Sequence, residues 1–223
     1  MHIYNKKDEP QCLICNEHIT YQASIEQFLF PNNLICGNCI KLLGSVNKIY
    51  NILGINIHAL YLYTPFMETT LFQYKECHDT ALAAIFLKPY IKEIIDKYRS
   101  YTIVYMPSSK SKNKERGFFA LDRMFKDIGM AKVEPFRKNK SYKQSLQNEE
   151  NRRNIEHIIE RDEHIILPDT PLLLVDDVVT SGNSIRWAKH LLEEHKYKVD
   201  VLCIAIHPGL VEKCRTNMIE ISS

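Results

Sequence analysis

The feature that most constrains this chain is residues 172–184, LLLVDDVVTSGNS: an apolar run, two adjacent carboxylates, then a hydroxyl- and glycine-bearing loop leading into a helical pattern. A strand that is apolar at every position needs cover on both faces, the environment of a parallel sheet between helices. In open sheets of that kind ligands bind outside the carboxyl ends of the strands, where this loop falls. Thr180, Ser181, Gly182, Asn183 and Ser184 offer hydroxyls, a flexible glycine and backbone N–H groups at a helix N-terminus. Such an assembly favours a phosphate monoester. Asp176 and Asp177 cannot serve the same phosphate, because like charges repel; they ask for hydroxyl donors or a Mg²⁺-bearing ligand. A ribose with vicinal hydroxyls and a 5′-phosphate satisfies both halves of the segment, and an acidic turn that merely caps a helix is the plainer alternative.

The surrounding pattern agrees with a sheet of this type. Residues 60–64 and 101–107 read as strands, and 199–206 as a second buried strand. Residues 66–98 read as helix, with Leu82, Ile85, Phe86, Ile91, Ile94 and Ile95 forming an apolar stripe and Pro89 breaking it. Helix is expected at 118–128, 148–159 and 184–195, and a short edge strand at 133–136. Alternation of this kind predicts an α/β fold with a mostly parallel sheet and helices on both faces.

Ahead of it stand two CxxC pairs, Cys12/Cys15 and Cys36/Cys39, separated by 20 residues. Two thiolates on each tight knuckle can converge on one tetrahedral Zn²⁺, with Zn–S bonds of about 2.3 Å. Asn16, Gly37 and Asn38 supply turn-forming residues at the knuckles. All four positions are filled by protein, so the ion is scaffold rather than reagent; a redox dithiol is the alternative for either pair taken singly. Cys77, Cys203 and Cys214 stand apart and read as ordinary buried thiols rather than ligands. The expected organisation is a zinc ribbon at residues 1–45 and a larger domain at 55–223.

With 45% hydrophobic and 25% charged residues in 223, the composition is that of a globular protein. The start, MHIYNKKDEPQC, has no apolar core of the kind that marks a secretion signal, and no apolar run approaches the roughly 20 residues of a membrane span. A cytoplasmic location is expected. Disulfides are disfavoured there, which strengthens the metal reading of the cysteines.

The stretch VDDVVTSGNS closely resembles the phosphoribosyl pyrophosphate signature of type I phosphoribosyltransferases. That resemblance implies a type I phosphoribosyltransferase-like fold in which Asp176 and Asp177 contact the ribose hydroxyls, as the catalytic acids of any transfer. Residues 180–184 would hold the 5′-phosphate, with Mg²⁺ accompanying the ligand. LFQYKECHDTALA (71–83), KERGF (114–118) and KNKSYKQSLQNEENRRN (138–154), together with the four-cysteine module, resemble the ComF family of late-competence proteins. The resemblance implies a role in DNA uptake or processing during natural transformation, alongside a helicase partner. Ser181 and Ser184 stand where that family often has threonine, which keeps the hydroxyls; Phe119 stands where asparagine is usual. In type I enzymes a loop at the position of residues 107–117 helps to hold pyrophosphate, and Ser108, Lys110 and Arg116 are the candidates for that task. A solvated basic loop is the alternative.

Charge is segregated: residues 97–153 carry 15 Lys+Arg against 6 Asp+Glu, and the remainder 14 against 21. A basic belt interleaved with Tyr98, Tyr101, Phe136 and Tyr142 suits single-stranded DNA, cations following the backbone and rings stacking on bases. The alternative is that part of this charge serves pyrophosphate and the rest is solvated surface. A phosphoribosyltransferase with a nucleobase or amine acceptor is the second functional reading, although no residue stands out as the acceptor contact.

Overall fold

The computed structural model describes residues 10–19, 34–138, 159–194 and 196–221. Their main feature is a six-stranded sheet in the order β1-β2-β8-β7-β3-β4. Its strands are β1 (Ser45–Ile52), β2 (Ile55–Leu62), β3 (Thr102–Tyr105), β4 (Lys132–Val133), β7 (Leu172–Val179) and β8 (Val199–Ile206). β1 runs antiparallel to β2; every other pairing is parallel. A separate antiparallel ribbon joins β5 (Phe136–Lys138) to β6 (Ile159–Arg161).

Alternation along the central strands explains their apolar runs. In β7, Leu173 and Val175 face one core while Leu172 and Leu174 face the other. In β8, Leu202 and Ile204 join the first core, Val201 and Cys203 the second. Because successive side chains point to opposite faces and helices cover both, no position can be polar without a partner.

The first face is covered by α2 (Pro65–Lys75), α3 (Ala83–Leu87), α4 (Ile91–Tyr98) and α6 (Ala120–Met124). α2 begins with Thr64 as its cap, accepting from the Met67 N–H at 3.2 Å, and with Pro65 in the first turn. It buries Met67, Thr70, Leu71 and Tyr74, a helical i, i+3, i+4, i+7 set, so its last residue Lys75 emerges beside the strand ends. The expected helix over 66–98 is broken not only at Pro89, inside a 3₁₀ turn, but also at 76–79, where His78 takes φ 59°. The second face carries α7 (Asn183–Glu193) and the start of α8 (Pro208–Ile221).

Other expectations are adjusted. The strand expected at 60–64 lies at 55–62 and is the inner half of a hairpin with β1, most of which (46–52) falls between the two expected domains. The strand expected at 133–136 is two: Glu134-Pro135 separates β4, on the sheet edge, from β5 in the ribbon. The expected helix at 148–159 lies outside the described residues, except that Ile159 begins β6. Residues 110–116 are not a loop but helix α5 (Lys110–Arg116), closed by Gly117 at φ 75°.

The cysteine module does not stand apart. Cys12, Ile19, Ile35, Cys39, Ile40 and Leu43 belong to the same core as Leu60, Tyr61, Met67 and Tyr74. Its helix α1 (Gly37–Leu42) starts immediately after Cys36. No helix among the described residues is long and apolar enough to cross a membrane.

Candidate functional site

The four cysteines converge. The Sγ atoms of Cys12, Cys15, Cys36 and Cys39 all lie within 4.8 Å of one another, and Cys15 and Cys36 stand 3.7 Å apart. A tetrahedral four-thiolate unit with bonds of about 2.3 Å has S···S edges of about 3.8 Å, so the donor set fits a metal ion such as zinc. The first knuckle is closed by Asn16 N–H donating to the Cys12 carbonyl at 2.9 Å, with Asn16 at φ 61°. Leu13 N–H donates to the Leu34 carbonyl at 2.9 Å and ties the knuckles together. Burial pushes the Cys12 thiol up, but backbone N–H groups of Cys15, Cys36 and Ile14 outweigh it and hold the group at about 7. The Cys15 and Cys39 thiols go the other way, raised by burial, so a metal binding here must displace their protons. Cys77, Cys203 and Cys214 lie outside this cluster, but of the three expected to be buried only Cys203 is; Cys77 is exposed and Cys214 half-buried.

A second site lies at the carboxyl end of β7. A cleft of about 280 Å³ is lined by Asp176 and Asp177. Lining it with them are Met106, Pro107, Ser108 and Ser109 after β3, Lys112 and Arg116 of α5, Phe119 at the cap of α6 with Ala120 and Leu121 in it, and Lys138 of β5. Of the three groups expected there, Ser108 and Arg116 are present. Lys110 is not among the lining residues, and Lys112 is. The helix explains the exchange: Ser109, Lys112 and Arg116 fall on one face at i, i+3, i+7, and Lys110 falls off it. Lys112 and Lys138 were missed for this reason and because β5 approaches from a distant part of the chain.

The acidic pair is held by groups that sequence alone did not indicate. Asp177 forms an ion pair with Lys75, and Arg116 forms one with Glu76. The Asp177 N–H donates to Asp176 Oδ1 at 2.9 Å. Burial, then the neighbouring Asp177 charge, pushes the Asp176 carboxyl up to about 7, against the pull of that N–H and of Lys75 and Lys138. The hydrogen bond from Arg116 holds the Glu76 carboxyl below its ordinary range. Arg116 is nine-tenths buried, and its Nε has no hydrogen-bond partner among the described residues.

The loop after β7 adjoins this cleft in sequence but is not part of its lining. Gly182 is buried at φ 77° and ends the loop; Thr180 and Ser181 are exposed, and Asn183 and Ser184 open α7. No side chain caps that helix at Gly182, while the Asn183 N–H donates to Ser181 Oγ at 3.4 Å.

The aromatic part of the basic belt is corrected. Tyr98, Tyr101 and Phe136 are buried in the two cores and cannot stack on bases, and Tyr142 lies outside the described residues. Among the described cations of the belt, Arg116, Lys132 and Arg137 pair with Glu76, Asp122 and Asp162.

Fold and site together define an α/β protein with a mostly parallel sheet, a mixed-charge cleft at its strand ends and a four-thiol cluster that fits a metal. No protein-family model matches the chain. Competence protein ComFC from Streptococcus pneumoniae is 27% identical over 141 residues, 63% of each chain. The chain is thus ComFC-like in sequence, and a phosphoribosyltransferase-type arrangement is compatible with the sheet.

Proposed function

We propose that the cleft binds phosphoribosyl pyrophosphate with Mg²⁺, and that the protein serves DNA uptake or processing in competence, with zinc on the four thiols. The observation that supports the ligand most is the placement of Asp176 and Asp177 near the carboxyl end of a parallel strand, in one cleft with Lys112, Arg116 and Lys138. Asp176 and Asp177 receive the ribose hydroxyls. Residues 180–184 take the 5′-phosphate on the N–H groups opening α7. Ser108, Lys112 and Arg116 face the pyrophosphate, where charge-assisted bonds are strongest. The competence role is drawn from the ComFC relative; single-stranded DNA and a helicase are the proposed partners, and the cytoplasm the proposed location.

The working arrangement is a zinc-bearing segment at 1–45 and a ligand-binding domain at 55–223, sharing the first core. Ligand binding is tested by thermal unfolding: a ligand held only by the native state raises the midpoint, by about 2.7 kcal/mol of stabilisation at one hundred times Kd. A larger rise with phosphoribosyl pyrophosphate and Mg²⁺ than with ribose 5-phosphate at the same concentration supports the reading; no rise with phosphoribosyl pyrophosphate and Mg²⁺ contradicts it. DNA binding is tested by fluorescence anisotropy of a labelled oligonucleotide, where affinity must fall steeply with salt.

A second reading, an active phosphoribosyltransferase, is favoured by the apolar side of the same cleft. Met106, Phe119 and Leu121 offer a surface for a planar acceptor next to the acidic pair. Release of pyrophosphate on adding nucleobases or amines separates the two readings.

A further inference from the structure

Two adjacent carboxylates at a strand end make a natural seat for a divalent cation. Here one of them already has a cation. Lys75, the last residue of α2, pairs with Asp177, and both side chains are largely withdrawn from solvent, at 17% and 24% exposure. The next residue, Glu76, pairs with Arg116, which also lines the cleft. Consecutive residues at one helix end therefore each hold a lining residue of the cleft, Asp177 and Arg116. The burial of Met67, Leu71 and Tyr74 fixes that end in place, and a pair so shielded is screened little by salt.

We propose that Lys75 is a specificity-determining residue of the cleft: it supplies the charge compensation that a metal ion would otherwise bring to Asp177, so that Asp177 accepts hydroxyl groups of a polyol ligand instead of ligating a divalent cation directly. The ligand class follows from the proposed phosphoribosyl pyrophosphate reading, on which this assignment of hydroxyls rests. Any Mg²⁺ then arrives on the pyrophosphate of the ligand, not on the acidic pair. Lys75 acts through Asp177 and is a positioning residue.

The test is a titration with Mn²⁺ alone, read by its electron paramagnetic signal, on zinc-loaded protein. Wild type is expected to show no Mn²⁺ binding that Asp177→Asn removes. Lys75→Met and Lys75→Gln are expected to bind Mn²⁺ at least tenfold more tightly than wild type, at a site lost when Asp177→Asn is added, and Lys75→Arg is expected to behave as wild type. Two neutral variants are used because burying an uncompensated Asp177 can destabilise either one, and Asp177-dependent Mn²⁺ binding by wild type overturns the proposal even if both unfold. Asp177-dependent Mn²⁺ binding in wild type, or no gain in folded Lys75→Met or Lys75→Gln, overturns the proposal. Calorimetry with phosphoribosyl pyrophosphate and Mg²⁺ on the same proteins tests the underlying reading separately. Its failure, with the Mn²⁺ pattern as expected, removes the ligand assignment and leaves Lys75 as the guard of Asp177.

Discussion

Gly182 and Ile52 meet with no room between them: a Cβ built on Gly182 would stand 2.9 Å from Ile52 Cγ2. Gly182 also sits at φ 77°, so glycine is required there twice, once for the backbone and once for the space. Ile52 ends β1, which ties the hairpin at the sheet edge to the loop that opens α7.

Gly182→Ala is expected to lose about 1–2 kcal/mol from the left-handed backbone alone, with a further loss from the contact with Ile52. Adding Ile52→Ala should restore part of the second loss and none of the first. A double-mutant cycle by urea unfolding reads this coupling, and strictly additive losses would show that the two residues do not press on each other.

Cys12→Ser is expected to abolish stoichiometric zinc and to lower the unfolding midpoint of the whole sheet, not just of residues 10–43, because Cys12 and Cys39 share a core with Tyr61 and Tyr74. A chelator strong enough to strip the metal should reproduce the effect in wild type. Zinc content and circular dichroism on the same samples check it; a stable protein without metal would argue against a structural role.

Asp176 makes stability depend on pH in a direction opposite to most carboxylates. Its group is raised from 3.8 to about 7 on folding, so between those values the folded state binds more protons and stability falls as pH rises. Asp176→Asn should therefore gain midpoint relative to wild type at pH 8 and show little difference near pH 4. An offset that is the same at both pH values would contradict the burial of that carboxyl.

His58 acts in the other direction. It is buried on β2, with Nε2 2.7 Å from Asn47 Oδ1 and Nδ1 3.3 Å from the Tyr98 hydroxyl. Burial, and then Lys97, lower its group from 6.5 to about 4. Stability it contributes is complete above 6.5 and is lost as pH falls towards 4. His58→Gln should flatten the acid limb of the stability profile in that window, measured by thermal unfolding from pH 4 to 7.

The parts of this fold that were legible are those where one chain segment carries the whole signal. The β7–loop–α7 unit could be read because strand, acids, glycine and helix follow one another in 172–193. The four thiols could be read because CxxC spacing is local. β1 was missed: Asn47, Lys48 and Asn51 make it read as a polar connector, and an exposed edge strand leaves little apolar alternation. Lys112 was passed over for Lys110 because a basic run read as loop has no faces, whereas the helix it forms has one that meets the cleft. Lys75 could not be found, since its partner Asp177 is 102 residues away and only packing of α2 brings them together.

The measurement that bears most directly on the central claim is calorimetric titration of zinc-loaded protein with phosphoribosyl pyrophosphate and Mg²⁺, beside Asp177→Asn. Saturable binding by wild type that the substitution abolishes while leaving the fold intact is the expected result. Binding that survives Asp177→Asn unchanged would contradict the site, and no binding by wild type would contradict the ligand.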